Sequence, residues 1–363
     1  MPIRQRFDRL LLTATVLQVA VGLAILASAS WLIAEERYHR PSSYFFTWQA
    51  ATALVGLGVL VVCMHLRSEL LTDPRLARFG MIACWVMLGA AFLMPTVANT
   101  HRWLSVGGFS VQPSVLSRIA LTVFAAIELQ AAAREGWPAR RLLILGAAAF
   151  GTAGLIVLEP DLGSATLIII IVAGMAFVAG MPIRLFVAPA TVSLVALVVA
   201  VLSSSYRLDR VRAFLDSGAE TAAGWQSTQS LVALGSGGLL GRGYGSGLQK
   251  LFFLPEPHTD FIFSITGEEL GLVGILVLVS LATIIVWRGL RISLKIENPA
   301  RSLLAFGLTF AFAVQTLIHM VVCLNLLPPK GIPLPLVSYG KTDLVVSLMA
   351  VGLLLNLSRE VAS

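Results

Sequence analysis

The segment KLFFLPEPHTDFIFSITGEELGLVG, residues Lys250–Gly274, passes from a polar loop into a long apolar run. Asp260 lies at the junction, and Glu268 and Glu269 follow about two helical turns later. A charge inside hydrocarbon is costly, so an ionisable residue in such a helix indicates a functional site. Asp260 also fits a helix N-cap, because Asp accepts hydrogen bonds from the first N–H groups of a helix. This segment alone leaves both interpretations open.

The composition of the 363 residues is typical of a polytopic membrane protein, with 57% hydrophobic and only 12% charged residues. Soluble domains contain roughly 25% charged residues. The net charge of +7 does not indicate nucleic-acid binding, because Lys and Arg are scattered over short loops and form no single basic face. The three cysteines lie in apolar runs without the spacing of metal ligands or of a disulfide framework, which predicts core residues.

Ten apolar runs are predicted to cross a membrane, for which a helix needs about 20 residues. The predicted spans are Leu10–Ile33, Phe45–Leu66, Phe79–Val97, Pro113–Ala132, Leu142–Leu158, Gly163–Gly180, Ile183–Ser203, Ile262–Trp287, Ser302–Leu324 and Leu336–Leu357. The length of the first run favours a retained helix over a cleaved signal peptide. We therefore expect an all-α membrane protein in which residues 1–363 form a single transmembrane domain.

The distribution of Lys and Arg over the loops predicts the orientation of the chain. One side carries most of them: Arg4, Arg6, Arg9, Arg67, Arg75, Arg78, Arg134, Arg140, Arg141, Arg184, Arg288, Arg291, Lys295, Arg301 and Arg359. The short loops of the other side carry Arg37, Arg40, Arg102 and Lys330. Both termini are thus predicted to be cytoplasmic, and the large loop 204–261, between the seventh and eighth helices, to be extracytoplasmic.

Polar residues interrupt the apolar pattern mainly at the predicted extracytoplasmic end. The large loop contains the basic segment YRLDRVRAFLD and the glycine-rich segment Gly235–Gly247, whose backbone N–H groups could bind an anion. Further polar residues at this end are Arg102, Gln112, Arg118, Glu159, Asp161, Lys330 and Ser338. Each alone is typical of a cap or a snorkelling side chain. Together they favour a site for an anionic, lipid-borne substrate, because Arg binds phosphate and a nearby carboxylate can act as a general base.

Several ordered segments resemble the SEDS family, the FtsW/RodA/SpoVE-type proteins of bacterial cell-wall synthesis. They are RWLSVGGFSVQPS, EPDLGSA, YRLDRVRAFLD, WQSTQSLVALGSGGLLGRGYGSGLQK, PEPHTDFIF, EELGLVG, and LLPPKGIPLP followed by SYG. The resemblance spans most of the chain and is nearer to the division and sporulation branch. It implies a peptidoglycan glycosyltransferase that polymerises undecaprenyl-linked lipid II at the outer face of the cytoplasmic membrane. It also implies a class B penicillin-binding protein as partner.

The resemblance implies that Asp260 is the general base that deprotonates the acceptor sugar. The leaving undecaprenyl pyrophosphate needs charge stabilisation, and the candidate basic residues are Arg102, Arg210, Arg212 and Lys330. Other residues expected to bind substrate or shape the cavity are Gln112, Arg118, Asp161, Gln229 and Ser338. A divalent cation, Mg²⁺ or Mn²⁺, could assist pyrophosphate departure, although the sequence contains no closed ligand set.

Two departures from the family pattern concern one pair of helices. The family commonly has QPSE with a Lys three residues later, where this chain has Val115 and Arg118. It also has SYGGSS where residues 338–343 of this chain read SYGKTD, so that Lys341 replaces a glycine and Asp343 replaces a serine. Arg118 therefore lacks an acidic neighbour one turn away. We expect Asp343 to replace it, with the two charged groups within about 8 Å, the reach of a water-bridged contact.

Two other functions stay open, besides a divergent enzyme with altered or lost activity. A lipid II flippase should have polar residues through both leaflets, whereas the intramembrane charges cluster near one end, with Glu128 the clearest exception. A non-catalytic scaffold that recruits a class B penicillin-binding protein is favoured by the departures at Val115, Lys341 and Asp343. The retained Asp260 and its surrounding motif argue against the scaffold.

Overall fold

The computed structural model describes residues 7–95, 100–106, 109–215 and 222–361, which are mostly helical. The helices are α1 (Arg9–Glu36), α2 (Tyr44–His65), α3 (Pro74–Ala91), α4 (Pro113–Arg134), α5 (Ala139–Leu158), α6 (Leu162–Val178), α7 (Val187–Leu202), α8 (Ser205–Leu215), α9 (Ala222–Ser236), α10 (Ile262–Lys295), α11 (Pro299–Cys323) and α12 (Lys341–Val361). Short 3₁₀ helices, Ser68–Thr72 and Ile183–Phe186, precede α3 and α7. An antiparallel pair of short strands, β1 (Leu104–Val106) and β2 (Phe109–Val111), precedes α4.

The protein is an integral membrane protein, and each of the ten predicted spans overlaps one of these helices. Within the described residues, eight helices are long and apolar enough to cross a membrane: α1, α2, α4, α5, α7 with its 3₁₀ turn, α10, α11 and α12. The apolar helix α6 is shorter, with 17 residues, and α3 carries Arg75 and Arg78 in its first turns. The structure therefore confirms a polytopic helical protein but does not confirm the number ten.

Two predicted helix boundaries are wrong for identifiable reasons. The third span was expected to begin at Phe79, but α3 begins at Pro74, because Asp73 caps the N–H groups of Arg75 and Leu76 at 2.7 and 3.3 Å. Its predicted end at Val97 lies outside the described residues. The tenth span was expected to begin at Leu336, but α12 begins at Lys341, because the residues before it form a turn in which Leu336 has φ +66°, a conformation that a helix does not contain.

Glycines allow the closest helix contacts of the bundle. The parallel helices α2 and α12 meet where a Cβ on Gly352 would lie 2.6 Å from the carbonyl oxygen of Leu60. Further along this interface, Asn356 donates to the carbonyl oxygens of Cys63 and Leu66 at the end of α2. These bonds satisfy carbonyl groups that a helix end leaves free. Cys63, Cys84 and Cys323 are buried and unbridged, which confirms their prediction as core residues.

The helix α10 is broken at Gly271, which has φ +63°. We call residues 237–250, which pack against this break, the glycine loop. A Cβ at Gly271 would lie 2.3 Å from the nitrogen of Gly241, so only glycine fits. The loop replaces the missing helical bonds, since Leu272 and Val273 donate to Gly238 and Leu239 at 3.0 and 3.3 Å.

The glycine loop descends alongside α1 into the bundle. The hydroxyl of Tyr244 donates to the carbonyl oxygen of Ala24 at 2.7 Å, and Ala24 lies near the middle of α1. A second irregular segment lies against the same helix, where a Cβ on Gly22 would be 2.7 Å from the Cα of Val337. Irregular backbone at membrane depth is tolerated where protein surrounds it. The second segment meets this condition because it is largely buried, whereas residues 238–240 and 242–246 of the glycine loop are exposed. Both segments lead to the region around Asp260.

Candidate active site

Asp260 lies in a turn before α10 and does not cap the helix. The N-cap residue is Phe261, whose side chain makes no capping bond, while its carbonyl oxygen accepts from Ser264 and Ile265. The cap interpretation of Asp260 is therefore wrong. The half-buried carboxylate faces Gly331, where a Cβ would lie 3.4 Å from Oδ2.

The surroundings of Asp260 make it a stronger base than a free aspartate. Desolvation, and to a smaller extent the charge of the nearby Glu256, raise the pKa of its carboxyl, which lies at about 6. A hydrogen bond from Thr259 and the charges of Arg210 and Arg102 act in the opposite direction. A base with this pKa is largely ionised at neutral pH and still accepts a proton readily.

The turn that carries Asp260 is fixed to the segment before α12. The hydroxyl of Ser338 donates to the carbonyl oxygen of Thr259 at 2.7 Å and accepts from the N–H of Leu334 at 2.8 Å. The N–H of Tyr339 donates to the carbonyl oxygen of His258 at 2.9 Å. Ser338, predicted to bind substrate, thus uses its hydroxyl to support the turn, and the backbone just before Asp260 is fixed to this segment.

Three of the four predicted basic residues lie near Asp260. Arg210 donates to the carbonyl oxygen of Pro329 at 2.8 Å, which places α8 beside residues 329–331. Arg102 donates to the carbonyl oxygen of Glu159 at 2.9 Å. Burial lowers the pKa of the Lys330 ammonium group, which has no hydrogen-bonding or acidic partner in the described chain. Lys330 adjoins the glycine that contacts Asp260, so it is available to an anion at this site.

Neither Arg212 nor Gln229 has a described hydrogen bond to Asp260, and the two lie in different surroundings. The side chain of Arg212 is 69% exposed and pairs with Asp209 on its own helix at 3.8 Å. Gln229 lies half-buried on α9, next to Ser230, whose hydroxyl is 2.6 Å from that of Ser264. The sequence did not show which of Arg210 and Arg212 faces the site, because both lie on α8 and differ only in the side of the helix that they occupy.

Gln112 and Asp161 contact each other, as two neighbouring polar motifs of one site should. The amide of Gln112 donates to Asp161 at 3.3 Å. Asp161 also caps α6, since it accepts from the N–H of Ser164 at 3.0 Å and from its hydroxyl at 2.8 Å. Most of the hydrogen-bonding capacity of Asp161 is thus used within the protein.

Glu159 was counted among the polar residues at this end of the bundle, but the sequence reasoning gave it no role in the site. Its carboxyl is 0% exposed and has no hydrogen-bond partner among the described residues. Burial, and then the charge of Asp161, raise its pKa to about 8, while Arg102 opposes the shift. At neutral pH this carboxyl holds its proton and can donate it. Its place in the EPD motif was visible in the sequence, but its burial was not.

The expected contact between Arg118 and Asp343 is confirmed. Their charged groups are 3.0 Å apart, and both side chains are buried. Gln315 of α11 completes the group, since it accepts from Arg118 and donates to Asp343 at 3.1 Å. Gln315 also donates to the carbonyl oxygen of Pro333 at 2.9 Å. The group ties α4, α11 and α12 to the segment that faces Asp260.

The glycine loop binds the protein's own carboxylates, so its prediction as a site for an external anion is wrong. Glu268 accepts from the N–H groups of Leu248 and Gln249 at 2.7 and 3.2 Å. Glu269 is paired with Lys250 at 2.6 Å and accepts from the hydroxyl of Ser28. These donors are therefore not available to a substrate.

No metal centre is formed by the part of the chain that the structure describes. It contains no group of three or more His, Cys, Asp or Glu side chains that could hold a metal ion. Glu159 and Asp161 are neighbours, but Asp161 already accepts three hydrogen bonds. Mg²⁺ commonly takes its remaining ligands from substrate phosphates and water. The described residues do not form a closed protein site for a metal ion.

Comparisons with known proteins cover almost the whole chain. A family model described as cell cycle protein, for FtsW, RodA and SpoVE, matches residues 8–363. The probable peptidoglycan glycosyltransferase FtsW of Geobacter sulfurreducens is 36% identical over 366 residues, which are 98% of this chain and 95% of that protein. The stage V sporulation protein E of Bacillus subtilis is 36% identical over 358 residues, which are 97% of each chain.

Solved structures share the fold. A chain from the structure described as "structural coordination of polymerization and crosslinking by a peptidoglycan synthase complex" superposes with a TM-score of 0.79. It is 25% identical, and the match covers 97% of this chain and 98% of that one. The rod shape determining protein RodA of Thermus thermophilus has a TM-score of 0.71 and 25% identity, over 99% of this chain and 98% of that one.

Proposed function

The chain belongs to the FtsW, RodA and SpoVE family of cell cycle proteins, and from this we propose that it is a cell-wall peptidoglycan glycosyltransferase of division or sporulation. Its substrate is lipid II, which it polymerises into glycan strands. The observation that carries the proposal is the half-buried Asp260, whose pKa is raised to about 6 and whose surroundings include Arg102 and Arg210. A base beside cations is the arrangement that this reaction requires.

In the proposed reaction, Asp260 removes the proton from the 4-hydroxyl of the acceptor N-acetylglucosamine. The resulting oxygen nucleophile attacks the anomeric carbon of the donor N-acetylmuramic acid, and the bond from that carbon to the pyrophosphate oxygen breaks. The configuration at the anomeric carbon inverts, and undecaprenyl pyrophosphate leaves with the bonding electrons. Lys330 and the arginines Arg102 and Arg210 stabilise the negative charge that develops on the leaving group.

Positioning supports the same proposal. The backbone of His258 and Thr259, just before Asp260, is held by the N–H of Tyr339 and the hydroxyl of Ser338, which limits the movement of the turn that carries the base. Accurate placement of reacting groups contributes strongly to enzymatic rates. Arg118, Gln112 and Asp161 then act through the shape of the cavity, together with Gln229. Arg212, exposed on α8, is assigned to the rim of the site.

We assign Asp260 to the extracytoplasmic end of the bundle and both termini to the cytoplasm, as the loop charges predict. Residues 1–363 act as a single transmembrane domain, with the loop 204–261 at the outer surface of the bacterial cytoplasmic membrane. The peptidoglycan synthase complex that contains a similar chain supports a partner that crosslinks the strands. We assign this role to a class B penicillin-binding protein.

The test is lipid II polymerisation by the purified protein, alone and with its cognate class B penicillin-binding protein. We expect strands from the unmodified chain and none from Asp260→Ala. The matched control is Glu36→Gln, an exposed carboxylate at the end of α1 on the same predicted side of the membrane, and we expect it to retain activity. No strands from the unmodified chain with the partner present would overturn the proposal in favour of a scaffold or a flippase. Strands from Asp260→Ala would refute the general base.

A further inference from the structure

A second polar cavity lies at the end of the bundle opposite Asp260. It has a volume of about 370 Å³ and is formed by the start of α1, the last turns of α10 and the end of α12. This volume is within the range of roughly 300–1,000 Å³ that is common for small-molecule sites. The polar and charged residues that line it are Asp8, Arg9, Arg288, Arg291, Lys295 and Ser358.

The charge of this cavity is strongly positive. Its single carboxylate, Asp8, caps α1 through the N–H of Leu11 at 3.0 Å and pairs with Arg288 at 2.5 Å. Arg9, Arg291 and Lys295 have no acidic partner within the described ranges. Among the described residues, the cavity therefore holds three cations without an acidic partner, and such a site attracts an anion.

Beside the cavity, α10 exposes two large apolar side chains. Trp287 is 48% exposed, and its ring lies under the guanidinium groups of Arg288 and Arg291, at 5.3 and 5.2 Å from its centroid. Leu294, one residue before Lys295, is 85% exposed. Trp is enriched at the level of lipid headgroups. The cavity thus combines a binding surface for a phosphate with an adjacent surface for an acyl chain.

We propose that this cavity binds the phosphate group of an anionic phospholipid in the leaflet at that end of the bundle. Arg291 and Lys295 contact the phosphate, Arg288 is held in place by Asp8, and the acyl chains lie along Trp287 and Leu294. Basic pockets between membrane helices on the cytoplasmic side commonly bind such headgroups. The site is separate from Asp260 and does not depend on the glycosyltransferase proposal.

The test uses the full chain, delipidated in detergent and titrated with dioleoyl phosphatidylglycerol or dioleoyl phosphatidylcholine, with bound lipid counted by native mass spectrometry. We expect a clear preference for phosphatidylglycerol. The double variant Arg291→Gln/Lys295→Gln should weaken its binding by roughly tenfold, because each basic residue near an anionic headgroup contributes several-fold. The matched control, Arg75→Gln/Arg140→Gln, removes two exposed arginines from the same predicted side of the membrane but outside the cavity.

Each outcome decides the proposal. An equal loss in both double variants would show general surface attraction and overturn the site, as would no preference between the two lipids. Unchanged melting temperatures in detergent establish that both variants are folded. Inorganic phosphate at 10 mM is the third arm, and we expect it to displace little lipid because it lacks the apolar anchor. Complete displacement would assign the cavity to free phosphate and would also overturn the lipid assignment.

Discussion

The carboxylate of Asp260 and the carboxylates of Glu268 and Glu269 lie within one segment but in opposite environments. Glu268 and Glu269 are buried, and backbone N–H groups, Ser28 and Lys250 satisfy them. Asp260 is half-buried, faces a glycine and has its pKa raised. A carboxylate with many donors is stabilised in its charged form, whereas one with few donors keeps the capacity to take a proton.

The comparison shows why the same residue type serves structure in one region and chemistry in the other. The glycine loop supplies its N–H groups to Glu268 and Glu269, which holds the broken helix α10 to α1. These contacts hold the start of α10 in place and, with it, the turn at Asp260. Removing a charge should therefore lower stability in the first region and activity in the second.

The largest effect is expected for Asp260→Asn, which keeps the size of the side chain and removes the base. We expect polymerisation of lipid II to fall about 10³-fold, within the range that general-base catalysis contributes. Stability should not fall, because a desolvated charge is removed. The measurements are strand synthesis and the unfolding midpoint in SDS mixed micelles. A rate within tenfold of the unmodified chain would contradict the role of Asp260.

The second prediction concerns stability and compares two lysines. Lys250→Met leaves Glu269 as a buried charge without its counter-ion, so we expect the free energy of unfolding to fall by about 3–5 kcal/mol. The matched control is Lys330→Met, which removes a lysine without an acidic partner and should cost under about 1 kcal/mol. The control should instead lower polymerisation by about a hundredfold, because it removes charge stabilisation from the leaving group. Equal destabilisation by both variants would contradict the comparison.

The third prediction tests whether Asp343 compensates for the missing glutamate at Val115. In Asp343→Ser, Arg118 keeps Gln315 but loses its counter-ion, and we expect a loss of about 2 kcal/mol of unfolding free energy. Adding Val115→Glu places a carboxylate one turn before Arg118 and should recover most of that loss. Polymerisation should follow the same order. No recovery in the double variant would mean that the two departures are unrelated.

Several features of this fold and site were predictable because they depend on local patterns. Apolar runs located ten helices, although the structure supports only eight as clear spans. The junction of a polar loop with an apolar run located Asp260. The contact between Arg118 and Asp343 was predicted because a new ion pair explains both the missing glutamate at Val115 and the new carboxylate of Asp343. The structure places the two charged groups 3.0 Å apart.

Other features depend on tertiary contacts that no local pattern contains. A glycine-rich segment can bind either an external anion or a carboxylate of the same protein. The hydrogen bond from Tyr244 to the carbonyl oxygen of Ala24 holds the loop against α1 and favours the second alternative. The burial of Glu159 depends on residues distant in the sequence, such as Arg102, which donates to its carbonyl oxygen. Gln315 was a plain polar residue in an apolar helix, and its role depends on two partners elsewhere in the chain.

The smallest expected effect is the pH dependence of the reaction. A base with a pKa of about 6 is active in its ionised form, so the rate should rise with pH, reach half its maximum near pH 6 and level off above about pH 7. The measurement is the initial rate of strand synthesis between pH 5 and pH 8.

Glu159→Gln is the control for this profile, because Glu159 is the other carboxyl with a raised pKa at this end of the bundle, at about 8. If Asp260 is the base, the half-maximal pH should stay near 6 in Glu159→Gln. A shift of the half-maximal pH by more than about one unit would mean that the two carboxyls titrate as a coupled pair. In that case both carboxyl groups would take part in proton transfer. The comparison of Asp260 with Glu268 and Glu269 would then have to include Glu159.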